Sequence, residues 1–228
     1  MLITMQQVTK TYAMGAVTVH ALDRVDLSID RGEFIGIWGP SGSGKTTLLN
    51  LMGAVDAASD GQVTVAGSDL ARLNDNQRSE LRNRFIGFVF QRYNLIPVLT
   101  AMENVMLPLQ IQGATTATAR KKSLEQLDAV GLAAVVRHRP DQMSGGQQQR
   151  VAVARALVTD PALVIADEPT ANLDSQTARQ LIDLMGDIHR RQGTTFIFST
   201  HDQRLLDRVD RRIQLRDGRI PASGEGQP

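Results

Sequence analysis

Apolar and β-branched runs punctuate the chain as far as Phe90, several of them flanked by turn glycines such as Gly32, Gly61 and Gly67. Thr18 to Ile29 alternates in part, with Val25, Leu27 and Ile29 on one side, and Glu33 to Trp38, Gln62 to Ala66 and Ile86 to Phe90 are compact runs of the same style. Short runs of this kind bounded by glycine predict strands. Between Leu99 and Arg139 the style changes. Thr100-Ala-Met-Glu103 has the spacing of a capping box and predicts a helix running toward Gln112. Ala117 to Val130 carries apolar and alanine positions at helical spacing and stops at Gly131. With no strand signal in that stretch, it reads as a helical insertion.

After Gly145, helix and strand alternate. A helix over Gln147 to Val158 precedes the buried run Leu163-Val-Ile-Ala166. A second helix, from about Ser175 to Arg191, lines up Leu181, Ile182, Leu184, Met185 and Ile188 on one face. Then follow a strand over Thr195 to Ser199, a short helix around Arg204 to Val209 and a strand near Ile213 to Leu215. Such alternation predicts a parallel-sheet α/β core, whose ligands bind at the carboxyl ends of the strands. The whole reads as one unit over 1–220 with the helical subdomain inserted at about 95–158. Residues 221–228, rich in Pro, Gly and Ser, are expected to be a disordered tail.

Composition narrows the class. At 228 residues the chain suits one domain, and 42% apolar with 21% charged residues is ordinary for a soluble globular protein. The 25 Lys+Arg against 24 Asp+Glu leave a net charge of +1, too weak a field to recommend nucleic acid as a partner. The absence of cysteine excludes a disulfide framework, a thiolate nucleophile and Cys-ligated metal, and fits a reducing compartment. MLITMQQVTK lacks the basic and apolar regions of a signal peptide, and no run approaches the roughly 18 apolar residues that span a bilayer. The expectation is a soluble intracellular protein.

Two segments carry chemistry. Gly39-Pro40-Ser41-Gly42-Ser43-Gly44-Lys45-Thr46 matches G-x-x-x-x-G-K-[ST] at every fixed position, between an apolar run and an apolar helix. Glycines there let backbone N–H groups turn inward around phosphates. Lys45 would meet the β- and γ-phosphates, and the Thr46 hydroxyl would ligate Mg²⁺, with Thr47 next to it at the helix start. Leu163-Val-Ile-Ala-Asp167-Glu168 places two carboxylates at the end of a buried strand. Asp167 suits the metal side and Glu168 the general base that polarises an attacking water. The chain is expected to bind a nucleoside triphosphate.

A third segment, Met143-Ser144-Gly145-Gly146-Gln147-Gln148-Gln149-Arg150, resembles the signature of ATP-binding-cassette (ABC) ATPases. The rest of the chain is similar to that family in order, from about residue 2 to 219. Tyr12 falls where the family's adenine-stacking aromatic lies, and Gln91 where its lid glutamine lies. Ala171-Asn-Leu-Asp174 resembles the dimer-contact loop, and His201 the switch histidine. The departures are small, with Met143 standing where leucine is usual.

The resemblance implies a P-loop NTPase core with a mixed, mainly parallel sheet, an N-terminal antiparallel β subdomain and an inserted helical subdomain. It implies ATP and Mg²⁺ as ligands and a head-to-tail homodimer formed on ATP binding. Each site would then combine Tyr12, Lys45, Gln91, Glu168 and His201 of one chain with Ser144, Gly145, Gly146 and Gln147 of its partner. Asp174 would belong to the contact loop, and Thr46, Gln91 and Asp167 would hold the metal. The stretch Arg92 to Val105 falls where transporter ATPases dock the coupling helices of an integral-membrane permease; simple packing of the helical subdomain would explain it equally well. Its wording, with Trp38 to Asn50, resembles the bacterial branch of lipoprotein release, macrolide efflux and the cell-division permease-like complex. On that reading the chain sits on the cytoplasmic face of the inner membrane. Alternatives are a soluble non-transport ABC ATPase, for which the stretch between Thr46 and Met143 leaves no room for a long coiled coil, and an import-type ATPase.

Overall fold

A computed structural model describes residues 1–15 and 17–221, together with the backbone of Glu225–Gly226. A twisted antiparallel sheet is built from β1 (Ile3–Met14), β2 (Val17–Ile29), β4 (Asp60–Val65) and β5 (Ser68–Asp69), in the order β2-β1-β4-β5. The second sheet contains β3 (Phe34–Trp38), β6 (Ile86–Val89), β7 (Leu163–Asp167), β8 (Thr195–Ser199), β9 (Arg211–Gln214) and β10 (Glu225–Gly226). Its order is β10-β9-β3-β8-β7-β6, parallel throughout except for β10 on the edge. The mixed, mainly parallel core and the antiparallel subdomain are therefore both present. Of the expected disordered tail, 222–224 and 227–228 lie outside the described residues.

Seven α-helices occur among the described residues: α1 (Lys45–Met52), α2 (Asp75–Phe85), α3 (Ala101–Ile111), α4 (Thr116–Ala129), α5 (Gly145–Leu157), α6 (Ser175–Gln192) and α7 (Gln203–Leu206). The Thr100 capping box forms as its spacing predicts. The Thr100 side chain accepts from the Glu103 N–H, while Glu103 Oε2 accepts from the Thr100 N–H at 2.8 Å. The hydrophobic pattern did not reveal β1, α2 or the two-residue strands β5 and β10, the last within the expected disordered tail.

Three apolar clusters hold these layers. The first packs the antiparallel sheet over α1 and one face of the parallel strands, through Ile3, Met5, Leu27, Ile35, Leu48, Met52 and Ile197. The second fills the opposite face with α6 and part of α5, through Phe196, Phe198, Leu181, Met185 and Val153. The third is the core of the helical subdomain, with Val105, Leu109, Leu127, Met143, Val151 and Ala154. Helix α5 serves two cores at once: Val153, Ala156 and Leu157 face the sheet, while Val151, Ala154 and Val158 face α3 and α4. A helix buried on both sides transmits displacement between layers, because close-packed cores do not deform continuously.

Register decides where the chemistry falls. Ile37 pairs with Ser199, and Asp167 pairs with Ser199 from the other side, so β3, β8 and β7 end level with one another. The loop after β3, the acids ending β7 and the segment after β8 therefore share one edge of the sheet.

Candidate functional site

The loop from Gly39 to Gly44 is shaped by close backbone approaches. A Cβ on Gly39 would lie 1.9 Å from the Leu215 carbonyl oxygen, and one on Gly44 would lie 2.3 Å from that of Ala21. No side chain fits at either position, and Gly44 adds a left-handed φ of 100°. Gly44 caps α1 without any side-chain hydrogen bond, leaving the first-turn N–H groups of α1 to a ligand. Ser43 Oγ is buried with no partner. Lys45 Nζ arches back over the loop and donates to the carbonyls of Gly39 at 2.8 Å and Pro40 at 3.0 Å. Oriented N–H groups, an ammonium and an unpaired hydroxyl make an anion cradle suited to phosphates.

Beside it, Thr46 Oγ1 donates to Asp167 Oδ2 at 3.3 Å, and Ser199 Oγ donates a short hydrogen bond to Asp167 Oδ1. The sequence reading missed this contact of Ser199; only the strand register brings it to Asp167.

Glu168 adopts a left-handed φ of 48°, uncommon for a residue with a side chain. Its N–H is held by the Ser199 carbonyl at 3.0 Å. Oε1 meets His201 Nδ1 at 2.9 Å, and Oε2 is buried without a hydrogen-bond partner. A carboxylate only accepts, so Nδ1 carries the hydrogen of that pair. The side chain of Glu168 is 17% exposed and that of His201 is 74% exposed. The predicted base and switch histidine are thus in contact, and the second carboxylate oxygen has no hydrogen-bond partner.

Tyr12 stands at the end of β1 with its hydroxyl donating to Asp56 Oδ2 at 2.8 Å. Lys10 Nζ reaches Asp56 Oδ1 and the Ala57 carbonyl, each at 2.7 Å, and lies 4.9 Å from the Tyr12 ring centroid. Burial, then the Asp56 hydrogen bond, push the Tyr12 phenol above its ordinary range, while the Thr47 hydroxyl pulls the other way. Desolvation opposes ionisation of Asp56, but Lys10 and Tyr12 outweigh it and hold that carboxyl below its usual range. The ring is locked in orientation yet partly exposed, as a stacking platform must be. Lys10 and Asp56 had no sequence signal, being 46 positions apart.

The signature segment opens α5 with a reciprocal cap. Ser144 caps α5 by accepting from the Gln147 N–H at 3.3 Å, and Gln147 Oε1 accepts from the Ser144 N–H at 2.9 Å. Packing against neighbouring side chains constrains both glycines, Gly146 the more tightly. A Cβ at Gly145 would sit 2.9 Å from the Tyr93 hydroxyl, and one at Gly146 would sit 2.5 Å from Thr177 Cγ2. Among the described residues, no hydrogen bond or ion pair joins 144–147 to the loop at 39–46.

Asp174 is engaged as the N-cap of α6, accepting from the N–H groups of Gln176 and Thr177 at 3.0 Å and from Thr177 Oγ1 at 2.6 Å. These bonds, Thr177's foremost, hold its carboxyl below the ordinary range. The Gln91 carbonyl accepts from Asn172 Nδ2 at 2.9 Å, tying the segment after β6 to the loop before α6. Just beyond, Tyr93 and Asn94 are both left-handed, with φ of 61° and 48°. Arg155 of α5 donates to their carbonyls at 2.8 and 2.6 Å. Next to this clamp lies an apolar groove of about 410 Å³, lined in part by Phe88, Phe90, Leu107, Pro108 and Ile111. A larger cleft of about 1110 Å³, bordered by Pro161, Ala162 and Thr194, lies at the other end of the strands, away from the acids and the phosphate loop.

A phosphate cradle, a carboxylate pair and a histidine at one edge of a parallel sheet define a P-loop nucleoside triphosphatase. Residues 22–171 match the family model described as ABC transporter, and the chain belongs to that family. It is 50% identical over 218 residues to the lipoprotein-releasing system ATP-binding protein LolD of Anaeromyxobacter dehalogenans, covering 95% of this chain and 91% of the relative. It is 45% identical over 221 residues to LolD of Legionella pneumophila strain Lens, covering 97% of each. Among solved structures it is similar to a dimeric ATP-binding cassette in a post-hydrolysis state bound to ADP and Pi, with a TM-score of 0.91 and 41% identity. That match covers 99% of this chain and 98% of the other. The chain is an ATP-hydrolysing subunit of an ABC transporter, and the family assignment made from Ser144 to Arg150 and the phosphate loop holds.

Proposed function

We propose that two copies of this chain close head-to-tail on two ATP molecules and drive a separate membrane permease in lipoprotein release. The relatives named for that system support the substrate class, and the dimeric cassette supports the assembly. The observation that carries the catalytic part is Glu168, one oxygen steadied by His201 and the other buried and unpaired.

In this reading the α1 N-terminus, Lys45 and Ser43 hold the phosphates, and Tyr12 stacks against adenine. Thr46 and Asp167 offer a hydroxyl and a carboxylate oxygen 3.3 Å apart, an all-oxygen set that fits Mg²⁺, with Gln91 completing it from the lid segment. Mg²⁺ supplies neutralisation of phosphate charge. Glu168 accepts a proton from the attacking water, and His201 keeps the carboxylate oriented and contacts the γ-phosphate. Ser144 to Gln147 of the partner grip the same phosphate from the opposite side. No helix among the described residues is long and apolar enough to cross a membrane. The groove between Phe90 and Ile111 receives a permease helix, which holds the subunit on the cytoplasmic face of the inner membrane.

Glu168→Gln tests the assignment. The amide cannot take a proton, so turnover falls by about 10²-fold or more while ATP binding persists. Wild-type phosphate release by this variant would sink the general-base role.

A further inference from the structure

Gln149 is a buried polar side chain close to Glu168 that the mechanism does not use. Gln149 lies on α5 with no exposed surface. Its Nε2 donates to the Pro169 carbonyl at 2.8 Å, and its Oε1 is buried with no partner. An apolar side chain of equal volume would fill the space without leaving an amide oxygen unpaired, so packing alone does not account for a glutamine.

We propose that Gln149 is a positioning residue for Glu168, an inference that rests on the reading of Glu168 as the base. Glu168 holds its left-handed φ of 48° only while its surroundings over-determine it. Upstream, its N–H is bound to the Ser199 carbonyl at 3.0 Å; its own carbonyl accepts from the Ala171 N–H at 3.2 Å. Downstream comes Pro169, whose ring fixes φ and leaves ψ as the soft torsion that aims its carbonyl. Gln149 grips that carbonyl and closes the last freedom of the turn.

The same bond joins two half-sites. α5 opens at Ser144, the cradle that faces the partner's nucleotide, and five residues later Gln149 touches the turn that aims this chain's own base. Arg155, further along α5, holds the Tyr93 and Asn94 carbonyls beside the groove. A shift of α5 on closure therefore reaches the base through Gln149.

The test is Gln149→Met, which keeps the length of the side chain and removes the donor. Misplacing a catalytic group by about 1 Å costs on the order of 10²-fold, so kcat for phosphate release falls about 10- to 100-fold while KM for ATP stays within about twofold. Gln149→Leu, which also lacks a donor toward Pro169 and buries no charge, shows the same split and serves if the methionine variant does not fold. Built into Glu168→Gln, either substitution leaves the ATP-bound dimer, measured by light scattering, as abundant as in Glu168→Gln alone. Wild-type kcat in a folded Gln149 variant overturns the proposal, and so does loss of the dimer in the double variant, which would assign Gln149 to the cradle. Wild-type turnover by Glu168→Gln itself would instead remove the base assignment, a result read independently of the Gln149 chains.

Discussion

Gly146 offers a quantitative test of how the signature cradle is built. Gly146→Ala adds a methyl 2.5 Å from Thr177 Cγ2, where carbon atoms rest at about 3.5–4.0 Å. Thr177 has little freedom to give way, because it is β-branched and its hydroxyl is bound to Asp174 at 2.6 Å. Overpacking of this sort costs about 1–3 kcal/mol, and replacing a helical glycine by alanine returns up to about 1 kcal/mol. The single variant is therefore destabilised by about 0–3 kcal/mol. Thr177→Ser removes Cγ2 and keeps the hydroxyl, so the pair Gly146→Ala/Thr177→Ser should recover the loss, with a coupling energy of about 1–3 kcal/mol. Urea unfolding of the four chains, followed by far-ultraviolet circular dichroism, measures it. If Gly146→Ala costs the same in both backgrounds, contact between α5 and α6 is not what demands glycine. A ligand's approach to the backbone would then be the whole reason.

Two further predictions concern the edges of the site. Asp56→Ala releases both the Tyr12 hydroxyl and Lys10, so ATP affinity by calorimetry should fall by about three- to tenfold, while inorganic tripolyphosphate binds unchanged; equal losses for both ligands would argue against an adenine platform. Ile111→Glu places a charge in the apolar groove at a side chain that is 67% exposed, so co-purification with the permease from detergent should drop while ATP binding persists. Intact co-purification would move the docking surface elsewhere. Glu103 is a poorer position for such a charge, since its carboxylate caps α3 through Thr100 and reversal would break the helix start too.

What the sequence disclosed divides by range. Features made by neighbours in the chain were legible: the phosphate loop, the Thr100 capping box, and the apolar face of α6 from Leu181 to Ile188. β1 was hidden because its pairing with β2 shifts register between Met5 and Val8 and again before Thr11, with Gln7 at a φ of 50°. Its buried positions, Ile3, Met5 and Val8, therefore lose the period of two. α2 buries only Leu81 and has no apolar stripe to read; Asn74 and Gln77 start it by a reciprocal cap. At the site, the residue types in the loop and at the strand end could be read, but their supports could not. Lys10 with Asp56, Asn172 with Gln91, and Arg155 with Tyr93 and Asn94 are contacts between distant segments that only the fold brings together. Asp174 shows the converse. A position known from a resemblance proved to carry a local task, the cap of α6.

The central claim is that each catalytic site is shared, the loop and base from one chain and the cradle from the other. The most direct measurement mixes two differently tagged variants, Ser144→Arg, with a ruined cradle, and Glu168→Gln, with no base. In a mixed dimer purified through both tags, one site unites the intact loop and base of the first chain with the intact cradle of the second. Each variant alone should release almost no phosphate, and the mixed dimer should turn over ATP well above either parent. A mixed dimer as inactive as its parents would place the cradle and the base of each site on the same chain and contradict the account.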